Sequence, residues 1–163
     1  MIPRAGIGYD VHRFAHGRRL VLGGVVIPHE CGLEGHSDAD VLCHAIADAV
    51  LGAAGLRDIG HHFPPGDPAT RNMSSLLILK RVAELLHGSG CVIYNVDATI
   101  VAEAPRIAPH LEAMKAAIGK ALGIPPSRLG IKATTNEEMG SVGRGEGIAA
   151  LATACVGSPE TVE

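Results

Sequence analysis

Apolar residues recur along this chain in two spacings, one typical of helices and the other typical of strands. Intervals of three and four predict helices over three ranges, 37–52, 74–87 and 105–122. Shorter apolar runs predict strands over five ranges, 2–10, 19–22, 25–28, 91–102 and 129–134. The second and third of these form a hairpin around Gly23 and Gly24. The apolar range 148–156 fits a helix or a strand, and we expect a strand because three helices need a sheet to pack on.

Local signals refine these boundaries. Ser37 is expected to cap the first helix, with Asp40 three residues later, and Pro105 is expected at the start of the third helix. The inward face of the second helix is expected to carry Leu76, Leu77, Leu79, Val82, Ala83 and Leu86. Alternation in the strand 91–102 puts one set of residues on its apolar face, namely Val92, Tyr94, Val96, Ala98 and Ile100.

The order of these elements predicts the fold class. Two successive helices after the hairpin break a strict alternation of strands and helices. We therefore predict an α+β fold, with a mixed or antiparallel β-sheet and the helices packed on one face. The length of 163 residues predicts a single domain over 1–163.

Composition and charge exclude several classes of partner. Aromatic residues make up 2% of the chain, Trp is absent and the net charge is −3, so we expect no nucleic-acid partner. No apolar run reaches the roughly 18 residues of a membrane span, and we expect neither a membrane partner nor a signal peptide. The four Cys form no CxxC pair and are expected to be reduced thiols of a cytoplasmic protein.

Candidate metal chemistry begins at Asp10 and His12. Residues two apart on a strand point to the same face, so a carboxylate and an imidazole project together. His44, on the predicted first helix, could complete a set of three ligands and leave the fourth zinc position open for substrate or water. Asp40 or Asp48 could hold the second ring nitrogen of His44. Alternatively, His12 only hydrogen-bonds Asp10, and the helix has a polar, solvated face.

Three later segments carry further candidate chemistry. The loop 57–68 contains His61-His62, and we expect that the two are not both ligands because adjacent side chains diverge. In 132–137, two hydroxyls and a carboxylate at a strand end could hold phosphates and Mg²⁺, or form an ordinary polar turn. The Gly-rich range 140–147 could cradle an anion with Arg144, or be a flexible turn.

Together these segments resemble one family, the 2-C-methyl-D-erythritol 2,4-cyclodiphosphate synthases, over nearly the whole chain. Six ordered motifs carry the resemblance: Gly8-Tyr9-Asp10-Val11-His12, Gly35-His36-Ser37-Asp38-Ala39-Asp40, Asp58-Ile59-Gly60 with Phe63-Pro64, Asn95-Val96-Asp97, Lys132-Ala133-Thr134-Thr135-Asn136-Glu137 and Gly143-Arg144-Gly145-Glu146-Gly147.

The resemblance implies a phosphorus–oxygen lyase of the non-mevalonate isoprenoid pathway. Such enzymes convert 4-diphosphocytidyl-2-C-methyl-D-erythritol 2-phosphate to the cyclic diphosphate and release CMP. The substrate's own 2-phosphate attacks the β-phosphorus of its CDP group. The resemblance also implies a cytoplasmic homotrimer, with the sheets toward the three-fold axis and the active sites between subunits.

The resemblance further implies a role for individual residues. Zinc, or another divalent transition metal, would be held by Asp10, His12 and His44. Mg²⁺ or Mn²⁺ at the substrate diphosphate would be held by Glu137. His36 and Thr135 would position and stabilise the transition state. The remaining substrate-binding residues would be Ser37, Asp58, Ile59, Gly60, Phe63, Asp67, Ala102, Pro105, Arg106, Ile107, Ala108, Ala133, Thr134 and Arg144, with the cytidine pocket on a neighbouring subunit.

Some positions depart from the family pattern. Ser141 stands where an aromatic residue is usual, which weakens the apolar part of an isoprenoid diphosphate site on the trimer axis, although Arg144 remains. Pro65 and Gly66 replace residues that are often Asp and Thr. Two alternative functions remain open at this point. One is a zinc-dependent phosphoesterase, and the other is a non-enzymatic trimer that binds a metal or an isoprenoid.

Overall fold

The computed structural model describes residues 1–159, which form one mixed sheet, a hairpin and a layer of helices. The strands are β1 (Ile2–His16), β2 (Leu20–Leu22), β3 (Val25–Ile27), β4 (Cys31–Leu33), β5 (Val92–Val101), β6 (Leu129–Thr134) and β7 (Gly147–Ser158). The α-helices are α1 (Val41–Ala53), α2 (Ile59–His62), α3 (Ser75–Gly88), α4 (Leu111–Leu122) and α5 (Gly140–Gly143). Single turns of 3₁₀-helix lie at Pro68–Thr70, Ala108–His110 and Pro126–Arg128.

The five-stranded sheet has the order β4-β1-β7-β5-β6, and β2 pairs with β3 in a separate ribbon. Only β5 and β6 run parallel among the described strands; the other pairs are antiparallel. Strands β1 and β7 pair along almost their whole length. This arrangement confirms the predicted α+β class with a mixed sheet.

Helix α1 packs directly on β1 and β7 because small residues let the two backbones approach. Gly6 and Gly8 lie on the face of β1 that meets α1, where any side chain would collide with the carbonyl oxygens of Ala49 and Ala45. These oxygens belong to the Ala-rich face of α1, whose alanines are buried. The close approach brings helix residues such as His44 near β1, which matters for the site described below.

The two faces of the sheet differ sharply in burial. Alternate residues of β7 from Ile148 to Val156 are buried against the helices. On the opposite, open face of β1 and β7, Ile7 is 72% exposed, Tyr9 57% and Leu151 42%. Helix α3 packs on α1 and α4 as an outer layer. The helices therefore cover one face of the sheet, as predicted, and the other face presents apolar side chains to the surface.

Two predicted helix starts are wrong. Helix α1 begins at Val41, and its cap is Asp40, whose carboxylate accepts from the Cys43 N–H. Ser37 lies a turn earlier and its hydroxyl is engaged with the His44 ring instead. Helix α4 begins at Leu111, not at Pro105, and a 3₁₀ turn at Ala108–His110 directly precedes it.

The structure also corrects part of two predicted apolar faces, those of β5 and α3. A β-bulge between Ile93 and Asn95 shifts the register of β5 on β7. Ile93 is therefore buried, whereas Val92 and Tyr94 are exposed, in contrast to the alternation read from the sequence. On α3, Leu77 is also exposed and was wrongly placed inward. The apolar range 148–156 is a strand, as expected.

Candidate functional site

Three potential metal ligands converge where β1 meets α1. The strand places Asp10 and His12 on the same face, and the close packing of α1 brings His44 opposite them. Oδ2 of Asp10 lies 2.8 Å from Nε2 of His12 and 3.0 Å from Nδ1 of His44. The two ring nitrogens are 3.4 Å apart. The structure therefore brings together the three residues whose spacing predicted a ligand set.

The charges of this cluster are tightly coupled. Burial alone would raise the pKa of Asp10, but the hydrogen bonds to His12 and His44 together with the charge interactions with both rings outweigh burial and lower the pKa to about 2. Burial would lower the pKa of His12, but its hydrogen bond to Asp10 and the negative charge there raise it above the ordinary value. Asp10 is thus a carboxylate at neutral pH, as a metal ligand must be.

The donor set fits zinc. Zinc accepts both imidazole nitrogen and carboxylate oxygen as ligands, and three protein ligands leave one position of a tetrahedral site free. Tetrahedral bonds of about 2.1 Å separate ligand atoms by about 3.4 Å, and the two His nitrogens stand 3.4 Å apart. The ring of His12 is oriented by a hydrogen bond from Nδ1 to the carbonyl of Glu34, at 2.6 Å, which leaves Nε2 for the cluster.

A cavity of about 240 Å³ opens beside the cluster. Its walls come from β1, the loop before α1, α1, the α2 segment and α3: His12, His36, Ser37, His44, Ile59, Gly60, Phe63, Pro65, Thr70 and Ile78. Seven of these ten were predicted as metal ligands, catalytic residues or substrate contacts. The cavity is therefore lined on one side by the cluster and on the other by the predicted substrate loop.

The loop that carries His36 and Ser37 is held on both sides of His36. Nη1 of Arg18 donates to the carbonyl of Gly35 and Nη2 to the carbonyl of Ser37, each at 2.6 Å. Nε2 of His36 donates to the carbonyl of Asp67 at 3.0 Å, which ties the loop to the predicted substrate segment. The imidazole of His36 is otherwise exposed and faces the cavity.

The second nitrogen of His44 has a different partner from the two expected. Nε2 lies 3.0 Å from the Ser75 hydroxyl and 3.2 Å from the Ser37 hydroxyl. Asp40 instead accepts the N–H groups of Gly23, Gly24 and Cys43. The carboxylate of Asp48 accepts the N–H of Ile59, at 2.8 Å, and so holds the start of α2. Both aspartates accept from backbone N–H groups and neither contacts Nε2 of His44, which corrects the expectation that either would hold that nitrogen.

The α2 segment presents Asp58 and Gly60 next to the cavity. Asp58 is exposed at the start of α2, and its side chain caps no helical N–H. A side chain at Gly60 would approach Oδ2 of Asp58 at 2.9 Å, so glycine keeps that carboxylate clear. The Asp67 carboxylate accepts from the Ala69 N–H and caps the following 3₁₀ turn. The contact of Asp67 with His36 is therefore made by its backbone carbonyl oxygen and not by its side chain.

A second set of predicted residues lies at the other edge of the sheet. We call two ranges the edge segments: 102–108, which follows β5, and 133–137, which comprises the last two residues of β6 and the turn after it. They carry Ala102, Pro105, Arg106, Ile107, Ala108, Ala133, Thr134, Thr135 and Glu137. None of these lines the cavity beside the cluster. Three strand spacings separate β1 from β6 in the order of the sheet, about 14 Å.

The turn after β6 is held by a residue that sequence reasoning missed. Oε1 of Glu103 accepts the N–H of Asn136 at 2.9 Å and that of Glu138 at 3.2 Å. Glu137 and Glu138 have positive φ of 52° and 60°, a left-handed conformation that costs energy in residues with side chains. Two backbone N–H groups donate to the one Glu103 carboxylate and offset that cost, and the Thr135 hydroxyl accepts the Glu137 N–H at 3.2 Å.

Arg144 lies apart from both sets, on the turn between α5 and β7. Its guanidinium is exposed and pairs with Glu146 at 3.0 Å. A neighbouring cavity of about 280 Å³ is lined by Val11, His12, Arg13, Ser141, Val142, Glu146 and Gly147. Arg144 does not line this cavity.

Three other functional candidates escaped the sequence reading, namely Arg18, Asp38 and Ser75. Arg18 and Ser75 lie outside the six motifs, and Asp38 lies within one of them but was given no role there. The position of Asp38 just before a helix was the only signal that the sequence offered for it. That signal gave no indication of its contact with Ser75, which lies 37 residues later.

Among residues 1–159, no helix is long and apolar enough to cross a bilayer.

Comparison with known proteins gives one consistent result. The YgbB family model matches residues 3–157. A 2-C-methyl-D-erythritol 2,4-cyclodiphosphate synthase of Akkermansia muciniphila is 61% identical over 98% of this chain and 95% of its own length.

Solved structures agree with the sequence relatives. The bifunctional IspDF from Campylobacter jejuni superposes with a TM-score of 0.92 at 38% identity, over 98% of this chain and 43% of that longer one. The CDP complex of IspF from Plasmodium falciparum superposes with a TM-score of 0.83 at 30% identity, over 97% of each chain. The chain therefore belongs to the YgbB family, together with the 2-C-methyl-D-erythritol 2,4-cyclodiphosphate synthases that it matches along almost its whole length.

Proposed function

We propose that this chain carries out the cyclisation after which its relatives are named. It is a phosphorus–oxygen lyase that converts 4-diphosphocytidyl-2-C-methyl-D-erythritol 2-phosphate to 2-C-methyl-D-erythritol 2,4-cyclodiphosphate, with release of CMP, in isoprenoid biosynthesis. The observation that carries this proposal is the convergence of Asp10, His12 and His44 on a cavity that also contains His36 and the α2 segment.

The reaction needs no nucleophile from the protein. An oxygen of the 2-phosphate forms a bond to the β-phosphorus, and the bond from that phosphorus to the bridging oxygen breaks, so that CMP leaves with the bridging oxygen. The chain must therefore fold the substrate so that the two reacting atoms lie in line, and must neutralise the charge on the phosphates. This accounts for a site rich in hydrogen-bond donors and metal ligands.

We assign the metal-binding half of the site to Asp10, His12 and His44. The zinc they would hold, together with Mg²⁺ or Mn²⁺ on the diphosphate, supplies Lewis-acid stabilisation of phosphate charge. Zinc is favoured because two His nitrogens already stand at the spacing of tetrahedral ligands.

The cavity residues are assigned to the methylerythritol phosphate. His36 positions a phosphate oxygen from the exposed side of the cavity, and the Ser37 hydroxyl donates to the same group. The Asp58 carboxylate, which Gly60 leaves unobstructed, accepts from the erythritol hydroxyls. Ile59, Phe63 and the loop around Asp67 form the wall that encloses this part of the substrate.

We assign the cytidine diphosphate to the edge segments. Thr135 stabilises the transition state and Glu137 holds Mg²⁺, while Ala102, Pro105, Arg106, Ile107, Ala108, Ala133 and Thr134 line the cytidine pocket. A related solved structure is a CDP complex, which supports a cytidine nucleotide as ligand.

We propose that the active protein is a homotrimer with its sheets toward the three-fold axis. The edge segments are three strand spacings from the metal-binding half, farther than one diphosphate extends. A neighbouring chain that supplies its own edge segments would complete the site. The exposed apolar residues of the open sheet face, Ile7, Tyr9 and Leu151, supply a surface for that association.

Two finer assignments follow the same reasoning. Arg144 is proposed to contact an isoprenoid diphosphate on the trimer axis. Binding there would be weaker because Ser141 supplies no aromatic side chain and because Arg144 already pairs with Glu146. The cytoplasm is the proposed location, since four thiols without a described disulfide suit a reducing compartment.

A turnover assay by phosphorus NMR tests the proposed function. Purified protein with Mg²⁺ is given the diphosphocytidyl substrate, before and after removal of zinc with a chelator. We expect CMP and a cyclic diphosphate, lost on chelation and restored by zinc. An open-chain phosphate as product would instead indicate the phosphoesterase alternative, and no conversion with zinc bound would contradict the proposal.

A further inference from the structure

The ring of His44 has different surroundings on its two sides. Nδ1 faces Asp10 and His12, and Nε2 faces two buried hydroxyls, those of Ser75 and Ser37. When Nδ1 binds a metal, a neutral ring carries its proton on Nε2. That proton then needs an acceptor, because an unpaired N–H in a buried position is costly.

Ser75 is oriented to be that acceptor. It is the first residue of α3 and is fully buried. Its hydroxyl also contacts Oδ1 of Asp38, and its backbone N–H donates to Oδ2 of the same carboxylate at 2.9 Å. A carboxylate only accepts, so the single hydroxyl proton of Ser75 goes to Asp38. The lone pairs of Ser75 are thereby left for the Nε2 proton of His44, at 3.0 Å.

The carboxylate of Asp38 is fixed in turn. Oδ1 also accepts the N–H of Asp40 at 3.2 Å, so both oxygens face donors. Asp38 therefore cannot rotate to release the Ser75 hydroxyl without losing a backbone hydrogen bond. An asparagine at this position would lose one of these backbone hydrogen bonds in either orientation of its side chain, because its NH₂ group would face the N–H of Ser75 or the N–H of Asp40.

Ser37 gains a defined direction from the same arrangement. Its oxygen accepts the N–H of Ala39 at 3.2 Å and lies 3.2 Å from Nε2 of His44. When Nε2 of His44 carries its proton, that nitrogen has no lone pair to accept from Ser37, so the hydroxyl proton of Ser37 has to point elsewhere, and Ser37 lines the cavity. The hydroxyl can then donate to an anionic ligand there.

We propose that Asp38 acts through Ser75 as a positioning pair, which accepts the Nε2 proton of His44 and so holds Nδ1 toward the metal. This inference rests on the proposed metal site. Partners that orient a ligating histidine in this way are typically worth about 10- to 100-fold in metal affinity. The pair touches neither the substrate cavity nor the metal, so its effect is on ligand orientation.

Zinc affinity, measured by competition with a chromophoric chelator and without substrate, tests the proposal. We expect Ser75→Ala and Asp38→Asn each to weaken zinc binding by about 10- to 100-fold. The matched control is Ser74→Ala, on the exposed neighbour whose side chain caps no N–H; we expect wild-type affinity there. Wild-type affinity in Ser75→Ala would overturn the proposal, and so would a loss in Ser75→Ala with none in Asp38→Asn.

A second measurement needs no variant. In the zinc-loaded wild-type protein labelled with ¹⁵N-histidine, the Nε2 proton of His44 should be protected from exchange and should show a cross-peak to the Ser75 side chain. A rapidly exchanging proton would contradict the proposed acceptor. If the wild-type protein binds no zinc, the metal site itself fails and the inference falls with it. If zinc binds normally but no product forms, only the proposed reaction fails.

Discussion

The metal-binding half of the site and the edge segments are built in opposite ways. His44 is buried, and Asp10 and His12 are partly buried. Groups of the same chain hold both rings: the backbone carbonyl of Glu34 holds His12, and the Ser75 hydroxyl holds His44. Every residue from Lys132 to Ser141 is exposed, and the turn after β6 is held mainly by Glu103. The first region is complete within one chain, whereas the second has a fixed backbone and side chains that face outward. This difference is the basis of our proposal that one chain supplies the metal ligands of a site and a neighbouring chain supplies its nucleotide pocket.

The largest expected effect comes from removing a ligand of the metal-binding half. We expect His44→Ala to abolish zinc binding and turnover while the protein stays folded and trimeric, because the Ala-rich contact of α1 with β1 remains. Zinc content by mass spectrometry and turnover by phosphorus NMR measure the two effects. The exposed His87→Ala serves as the control. Normal zinc content in His44→Ala would remove His44 from the ligand set.

Charged substitutions on the open sheet face should dissociate the subunits. The metal-binding half of each site would then lose the edge segments of the neighbouring chain. In Ile7→Glu/Leu151→Glu, carboxylates would replace the apolar residues that we expect between subunits, giving a monomer that binds zinc but forms no CMP. Val26→Glu places the same charge on an apolar residue of β3, 50% exposed and outside the five-stranded sheet, and should remain trimeric and active. Light scattering, zinc content and turnover are measured together. A verified monomer with full activity would contradict the shared site.

A smaller effect is expected from loosening the edge turn. Glu103→Gln keeps the size of the side chain but loses its charge, which weakens the hydrogen bonds from Asn136 and Glu138. Hydrogen bonds to charged groups are worth about 1.5 kcal/mol or more, so turnover should fall by roughly tenfold while zinc affinity is unchanged. Glu112→Gln, on the exposed surface of α4, is the control. A parallel loss of zinc affinity would mean that the two regions are not independent.

The pH dependence of zinc binding follows from His12. Its pKa is raised, so below that pKa zinc must displace a proton from Nε2, and the apparent affinity should fall by about tenfold per pH unit. Asp10, with a pKa of about 2, stays ionised and adds no proton between pH 5 and about pH 8. Calorimetry in buffers of different ionisation enthalpy counts the released protons. Zinc affinity independent of pH over this range would contradict the assignment of His12.

The smallest effect is expected at Arg18. Lysine cannot donate to the carbonyls of Gly35 and Ser37 at once, so Arg18→Lys should loosen the loop that carries His36. We expect kcat to fall by a few-fold with little change in zinc content. Steady-state kinetics measure this, and Arg19→Lys, an exposed neighbour, is the control. Equal kinetics in the two variants would remove Arg18 from the positioning of His36.

Sequence reasoning identified three potential metal ligands, because strand periodicity fixes which residues of β1 share a face. Asp10 and His12 share a face of any strand, and His44 follows on the adjacent helix. The same reasoning failed where long-range contacts decide the outcome. The bulge that exposes Tyr94 depends on pairing with β7, and the capping role of Asp40 depends on the hairpin turn that donates to it. Ser75 could not be found because its partners His44 and Asp38 are 31 and 37 residues away.

The most direct test of the shared site mixes two variants with complementary defects. His44→Ala lacks the metal-binding half, and Thr135→Ala/Glu137→Ala lacks the edge segments; each alone should form almost no CMP. Random mixing puts both chains in about three quarters of the trimers, each with one intact site in three, so the account predicts about a quarter of wild-type turnover. If each site lies within one chain, every site carries a defect, and turnover would stay at the level of the separate variants.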